Sequence, residues 1–373
     1  MTDSGPELSA LRTEIAEVDR TIALAIDRRL RLARRVGERK SVHREPTRDF
    51  AVEEQVLERW RKALGPSGVA GDRAEWLARW LVEESVRTQD EVRAAVAPAR
   101  SEGDEIAIVG GAGQMGRWLT RFFEDSGHRV AIVDPEAPPP GVPTLPDVET
   151  AVSRSAVVLF ATPIRSTAPL LRRALESEGS AVIADVLSVK APIVPVLKAA
   201  AQQGRRVTSL HPMFGPSART LSGRNLLLVS CGVPEADRVA RALFARSAVS
   251  ISEVELERHD LLIAESLGLA HAVNLLFLAA LSSDPASSHE LARAASTTFH
   301  GQSALARAVA GEGAELYLDI QSLNPHSWGM YQELRTALDR LSTLVERRDL
   351  DGFSELLAQG RGKLESEPGA PRQ

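Results

Sequence analysis

Glu105-Ile-Ala-Ile-Val-Gly-Gly-Ala-Gly-Gln-Met-Gly-Arg117 is the stretch whose reading decides the fold. An apolar run, Ile106 to Val109, feeds Gly111-x-Gly113-x-x-Gly116, and an amphipathic segment opens at Trp118-Leu119. That order predicts strand, glycine turn, helix. On this reading Gly111 permits the tight turn, Gly113 lets backbone approach a pyrophosphate, and Gly116 lets the helix pack close to the strand. Gln114 and Met115 belong to the same turn, at a helix N-terminus where unpaired N–H groups and the dipole favour negative charge. A second apolar run, Val130-Ala-Ile-Val133, ends in Asp134, at the distance where an acid holds a ribose 2′-hydroxyl and repels a 2′-phosphate. The expected cofactor is NAD rather than NADP.

Working outward, short β-branched runs recur at 106–109, 130–133, 156–161, 181–184, 206–210, 225–230 and 249–254, with helical stretches between them. Such alternation predicts a mostly parallel sheet covered by helices. Beyond His259 the runs stop, and 259–283, 287–310, 314–323, 326–347 and 350–358 read as helices. Upstream, Pro98-Ala-Arg-Ser-Glu-Gly-Asp104 has the composition of an interdomain linker. Before it stand three helical stretches and no strand. Leu8, Leu11, Ile15, Val18, Ile22, Ile26, Leu30, Ala33 and Val36 keep a spacing of three or four along one long helix, about 6–42. Helices at about 49–64 and 73–96 follow. A single-striped helix of that length needs other helices to pack against.

The expected organisation is a multidomain chain: an all-α three-helix unit over 1–98, an α/β dinucleotide-binding domain of Rossmann type over 104–255, an all-α domain over 256–362, and a disordered tail from 363. With 373 residues the chain exceeds one ordinary core. The net charge of −5 gives no reason to expect a nucleic-acid partner. Cys231 is the one cysteine, which excludes an internal disulfide framework and a cysteine-built zinc site, and no metal is expected. The first residues carry no basic region or apolar core of a signal peptide, so the expected location is the cytoplasm. Leu261 to Leu281 is apolar enough to be weighed as a membrane span. Glu265, His271 and Asn274 would be costly in lipid, so a buried helix is expected and no membrane partner.

Several separated positions in the first helices carry a resemblance. Leu11-Arg-x-x-Ile15 with Asp19, Arg29-x-x-Ala-x-x-Val-Gly-x-x-Lys40, Arg48-Asp49-x-x-x-Glu53 and Glu84-Ser85-x-x-Thr88-Gln89 resemble the all-helical chorismate mutase family. The resemblance implies that Arg12 and Arg29 hold the two carboxylates of chorismate. It implies that Lys40 and Gln89 hydrogen-bond the ether oxygen, that Asp49 and Glu53 lie near the ring hydroxyl, and that Ser85 lies near a carboxylate. A pericyclic rearrangement needs no nucleophile. It needs the dianion held compactly and donors aimed at the oxygen that gains charge. In the family, helices from two chains build each site, which implies a homodimer. One departure is Val52, where the family commonly has arginine.

Downstream, the glycine turn, Ala184-Asp-Val-Leu-Ser-Val-Lys190 and Ser209-Leu-His-Pro-Met-Phe-Gly-Pro216 resemble prephenate dehydrogenases, specifically those fused behind a chorismate mutase. Both later motifs follow predicted strands, at the carboxyl edge where open α/β sheets bind ligands. The resemblance implies that His211 takes or polarises the proton of the ring 4-hydroxyl, work suited to imidazole. It implies that Ser188 hydrogen-bonds the same hydroxyl, that Thr162 lies over the cofactor, and that His271 contributes to substrate binding. Lys190 reads as a helix-start charge. For the substrate carboxylate the family uses an arginine that aligns with Ala308, one residue after Arg307. A second family arginine aligns with His300. Arg307 is taken as the replacement.

The reading is a bifunctional enzyme that rearranges chorismate to prephenate and oxidises prephenate with NAD to 4-hydroxyphenylpyruvate and CO2, in tyrosine formation or in an antibiotic-type pathway. Two other readings stay beside it. One is the same pair of reactions on the 4-amino-4-deoxy analogues. The other is a non-catalytic protein that binds NAD and ligands without turnover.

Overall fold

The chain is described by a computed structural model at residues 5–43, 50–96, 105–218, 221, 224–245, 247, 249–283, 288–311 and 313–365. The linker expected at 98–104 lies outside these residues, as does the tail from 366 onward.

Three helices come first: α1 (Gly5–His43), α2 (Phe50–Leu64) and α3 (Gly71–Val96). Both α1 and α2 pack on α3. The contact with α1 falls on its C-terminal half, where Ala33 is buried and a Cβ on Gly37 would stand 2.8 Å from the Gln89 Cα. That approach explains the small residue in an otherwise large-residue stripe. Among the described residues nothing covers the N-terminal half of the stripe: Ile15 is 60% exposed and Ile22 51%.

The sheet follows: β1 (Glu105–Val109), β2 (Arg129–Val133), β3 (Val157–Phe160), β4 (Val182–Asp185), β5 (Val207–Pro212), β6 (Asn225–Ser230) and β7 (Ser250–Glu255). Helices α4 (Gln114–Asp125), α5 (Val148–Arg154), α6 (Ile164–Glu176), α7 (Val194–Gln202) and α8 (Pro234–Phe244) connect the strands. The strand order is β2-β1-β3-β4-β5-β6-β7. The first five strands are mutually parallel. β6 runs antiparallel to β5, and β7 parallel to β6. Every run read from the sequence is a strand. Along β1 the side chains alternate between two cores: Ile106 and Ile108 face Leu119 and Phe123 of α4, while Ala107 and Val109 join Ile164 and Leu171 of α6. Burial on both faces is why these strands read as continuous apolar runs. The order in which successive strands are added reverses between β1 and β3, the switch point at whose carboxyl ends open α/β sheets bind ligands.

The C-terminal part is helical: α9 (Leu256–Ile263), α10 (Leu269–Ser282), α11 (Ser288–Ala294), α12 (Thr297–Ala310), α13 (Ala314–Leu323), α14 (Ser327–Arg347) and α15 (Leu350–Glu365). A π turn, Ala264–Gly268, joins α9 to α10, and the Gln321 amide donates to the Gly268 carbonyl across it at 3.0 Å. The stretch expected as one helix over 287–310 divides at Ser296, whose hydroxyl caps α12 by accepting from the Phe299 N–H. α15 runs to Glu365, so 363–365 are helical rather than tail.

The expectation of a buried α10 is not met within one chain. Leu256–Ser282 is long and apolar enough to cross a membrane by length and composition. In α10, however, only Ala272 and Asn274 are buried, and Leu276 is 56% exposed.

Candidate active site

The cofactor turn is built by crowding. Gly110, not Gly111, takes the left-handed conformation, at φ +87°, and a Cβ there would meet the Ala161 carbonyl oxygen at 2.7 Å. Gly111 is glycine for a different reason: its Cβ would fall 2.4 Å from Ile132 Cγ2. Gly116 admits no side chain, since a Cβ would reach the Gly110 carbonyl at 2.1 Å. Gly113 is the exposed member, with Gly110 O at 3.4 Å as its one close neighbour, and it caps α4 at Gln114. The first N–H groups of α4 open onto that uncovered face, as a phosphate requires. Met115 turns inward against the core, so of this pair Gln114 is the exposed one.

Asp134 ends β2 beside the turn. Its Oδ2 accepts from Ala112 N–H at 2.9 Å and its Oδ1 from Glu136 N–H at 2.9 Å. These residues fit a dinucleotide with a free ribose 2′-hydroxyl. Thr162 follows β3 on the same edge, and its hydroxyl pairs with that of Thr167 at 2.6 Å.

The second constellation lies at the carboxyl ends of β4 and β5. His211, in the last residues of β5, is 2% exposed, and its Nδ1 lies 3.0 Å from Nε2 of the fully buried His259. His259 Nδ1 lies 2.7 Å from Asp260 Oδ1. Asp260 also accepts from the backbone N–H of Lys190 at 2.8 Å and of Ala191 at 2.7 Å. Burial works to raise the Asp260 carboxyl, but hydrogen bonds from His259 and from the Lys190 backbone outweigh it and hold the pKa low.

An ionised Asp260 assigns the tautomers along the row. His259 donates its Nδ1–H to Asp260 and accepts at Nε2. His211 therefore donates its Nδ1–H to His259, and its own Nε2 is left as a lone-pair acceptor. Burial, followed by the charges of His259 and Lys190, pushes His211 well below the ordinary imidazole pKa. Burial also lowers His259, against the pull of Asp260. Both imidazoles rest neutral beside the ionised Asp260, with a base at the outer end of the row.

Lys190 departs from its sequence reading. It is fully buried rather than a surface charge at a helix start. Its ammonium donates to Asp185 Oδ1 at 2.5 Å and to the Leu210 carbonyl at 2.8 Å, tying the end of β4 to β5 one residue before His211. A buried pair of this kind fixes geometry more than it adds stability. Ser188, half-buried, stands in the same β4–α7 loop. The loop after His211 is pinned to α4 by Trp118, whose indole N–H donates to the Ala218 carbonyl at 2.7 Å and whose ring meets Phe214 at 5.2 Å.

On the helical side, the His271 ring lies edge-on to Tyr317 at 4.6 Å, and its Nδ1 is buried without a hydrogen-bond partner among the described residues. Burial lowers its pKa. Arg165, just after Thr162 and Pro163, spans to the buried Asp319 of α13 at 2.5 Å, fastening the cofactor edge to the helix that carries Tyr317. Arg307 is not drawn into this group. It lies exposed in the last turn of α12, with no side-chain hydrogen bond or ion pair among the described residues, and His300 is exposed two turns earlier.

In the three-helix unit, Leu81, Ser85 and Gln89 stand at four-residue intervals on the α3 face toward α1. Arg29 donates to the Leu81 carbonyl and to the Ser85 hydroxyl, which itself donates back to Leu81 O at 2.8 Å. The Gln89 amide nitrogen donates to Ser85 O at 3.2 Å, and its Oε1 is buried and unpaired among the described residues. Lys40 and Glu53 are half-buried. Asp49 lies outside the described residues. A cavity of about 500 Å³ opens beside Arg29. Arg12 is exposed on the same helix, and 17 residues at ~1.5 Å rise place it roughly 25 Å from Arg29. One chain cannot bring both to one small molecule.

Asp260, His259, Asp185 and Asp319 were not selected as site residues from the sequence. Asp185 ends β4, a signal that could have found it, whereas His259 and Asp260 lie within α9, past the end of β7. Asp319 had none apart from its place in Tyr-x-Asp-Ile.

A dinucleotide cradle at a sheet switch point, with a relayed histidine base on the same edge, defines a nicotinamide-dependent dehydrogenase. The known proteins agree. Residues 11–90 match chorismate mutase type II, 144–229 the prephenate dehydrogenase nucleotide-binding domain, and 255–359 the prephenate dehydrogenase dimerization domain. A 4-amino-4-deoxyprephenate dehydrogenase of Streptomyces pristinaespiralis is 32% identical over 69% of this chain and 90% of its own length. The T-protein of Enterobacter agglomerans is 26% identical over 93% of this chain and 90% of its own. The Aquifex aeolicus prephenate dehydrogenase, solved with hydroxyphenyl propionate and NAD+, shares the fold at a TM-score of 0.58, with 17% identity over 71% of this chain and 98% of that one. The chain belongs to the bifunctional chorismate mutase and prephenate dehydrogenase family, and it is an NAD-dependent enzyme.

Proposed function

We propose that residues of the three-helix unit rearrange chorismate to prephenate, and that the remainder oxidises prephenate to 4-hydroxyphenylpyruvate and CO2. The observation that carries the second step is the row His211–His259–Asp260, in which two neutral imidazoles lead from an ionised carboxylate to the His211 Nε2. Gly113 and Gln114 would hold NAD, which when bound would supply the hydride acceptor. His211 Nε2 takes the ring hydroxyl proton as C4 loses its hydrogen with the bonding pair, so C4 becomes a carbonyl carbon. The imidazolium so formed is stabilised through His259 by Asp260, while burial, and after it the His259 and Lys190 charges, keep the proton from being held beforehand. The C1–carboxylate bond then breaks, its electron pair moves through the ring to the C4 oxygen, and that oxygen recovers the proton as the ring aromatises. Ser188 orients the hydroxyl, and His271 with Tyr317 walls the substrate side.

For the first step, Arg29 and Ser85 hold a carboxylate, and Lys40 and Gln89 face the ether oxygen. Asp49 and Glu53 serve the hydroxyl. Arg12 reaches the site of a second copy. That separation, the uncovered stripe of α1 and the exposed Leu276 face of α10 support a homodimer, consistent with the dimerization domain matched at 255–359. We place the enzyme in the cytoplasm and in the tyrosine branch of aromatic amino acid biosynthesis.

A second reading has its own support. The 32% identical relative acts on 4-amino-4-deoxyprephenate, and Val52, His300 and Ala308 depart from the hydroxyl-type pattern. This reading would set the chain in antibiotic biosynthesis. The retained Glu53, Ser188 and His211 favour the hydroxyl. The test is NADH formation with prephenate and with 4-amino-4-deoxyprephenate side by side. Faster turnover of prephenate supports the proposal, and faster turnover of the amino compound replaces it by the second reading.

A further inference from the structure

Val52 leaves α2 without a cation where the family resemblance places one. Seven residues on, about two turns along the same helical face, stands Arg59. The cavity of about 500 Å³ is lined by Arg29, Val56, Arg59, Trp60, Ala63 and Leu64, so the two guanidinium groups border one space walled by apolar side chains. Neighbouring charges do not neutralise Arg59. Arg61 takes Glu54, Glu58 and Glu75, whereas Arg59 donates only its Nε–H, to the Gln55 carbonyl at 3.2 Å, and has no carboxylate partner among the described residues. Burial and then the Arg59 charge lower the Arg29 pKa.

Two like charges converging on an apolar-walled cavity are destabilising in the free protein and become favourable when an anion enters. We infer that Arg59 is a further carboxylate-binding residue of the mutase site, acting beside Arg29 and supplying from the next turns of α2 the cation that Val52 lacks. Its ligand is a compact dicarboxylate whose apolar ring edge lies against Val56, Trp60 and Leu64. This inference rests on the mutase reading above and adds a residue to it.

The experiment compares the full-length chain with Arg59→Ala and Arg59→Lys, following chorismate consumption and, separately, chorismate binding by calorimetry. A charge-assisted contact from the exposed Arg59 predicts that Arg59→Ala raises the KM for chorismate about tenfold, with kcat nearly unchanged, and that lysine restores part of the loss. Oxidation of supplied prephenate, measured on the same samples, reports that the variants are folded. A KM and binding constant within about twofold of wild type in Arg59→Ala overturn the inference. Should the wild type bind chorismate more tightly than Arg59→Ala yet not turn it over, the mutase reading falls and the binding role of Arg59 stands. Should neither bind, both fall.

Discussion

Replacing Asp260 by asparagine removes one charge and one acceptor from the centre of the relay. The carboxylate holds three N–H groups, from Lys190, Ala191 and His259, all between 2.7 and 2.8 Å. A carboxamide oxygen facing Lys190 and His259 turns its NH2 against the Ala191 N–H. The opposite orientation turns the NH2 toward His259, which must then accept at Nδ1 and carry its proton on Nε2. His211 would be forced to accept at Nδ1 and to hold its own proton on Nε2, the atom needed as the base. The first orientation keeps the tautomers but loses the charge that stabilises the imidazolium. Removing the acid from a comparable acid–histidine arrangement costs about 10⁴ in rate, and a mixture of the two orientations predicts a fall of about 10³, or ~4 kcal/mol in the barrier. One donor left against a donor adds about 1–3 kcal/mol of lost stability. The assay is the initial rate of NADH formation from saturating prephenate, with NAD affinity and chorismate turnover measured on the same preparation. Those two should stay near wild type. A variant that oxidises prephenate within about threefold of the wild-type rate would refute the relay, because it would show that neither the charge nor the tautomer assignment matters to His211.

Three further outcomes follow from the geometry. Asp134→Ala removes the charge facing a 2′-phosphate, so the preference for NAD over NADP in kcat/KM should fall about tenfold or more. Unchanged selectivity would move the ribose contact elsewhere. Lys40→Ala should abolish chorismate turnover while oxidation of supplied prephenate continues, since the two sites are built from separate elements; equal loss of both would contradict that separation. The third concerns pH. His211, His259 and His271 all have folded pKa values below 6.5, so as pH falls through 6.5 the unfolded chain takes up protons that the folded one refuses. Stability is therefore full above that pH and declines below it, which a series of Tm measurements across the range would show. kcat/KM for oxidation should instead hold flat to below pH 6.5, since His211 Nε2 stays unprotonated there.

The sheet was legible because parallel strands buried on both faces leave unbroken β-branched runs, and each run in the sequence became a strand. The glycine turn was legible in outline but not in detail: the positive φ belongs to Gly110, which the spacing pattern passes over. Lys190 was misread because sequence shows a charge and not its burial. Only the fold brings Asp185 and the Leu210 carbonyl to its ammonium. The relay was illegible for a similar reason, since His211 and His259 are 48 residues apart and meet only where β5 and α9 converge. The exposed faces of α1 and α10 mark the opposite limit. Their apolar patterns predicted burial, and a single chain does not provide it.

The central claim, that one chain carries chorismate through to an aromatic keto acid, is tested most directly by supplying chorismate and NAD to the purified protein and following NADH and CO2 together. The account predicts equal amounts of both, with 4-hydroxyphenylpyruvate as the organic product and the same oxidation when prephenate is supplied instead. No NADH from either substrate would contradict it.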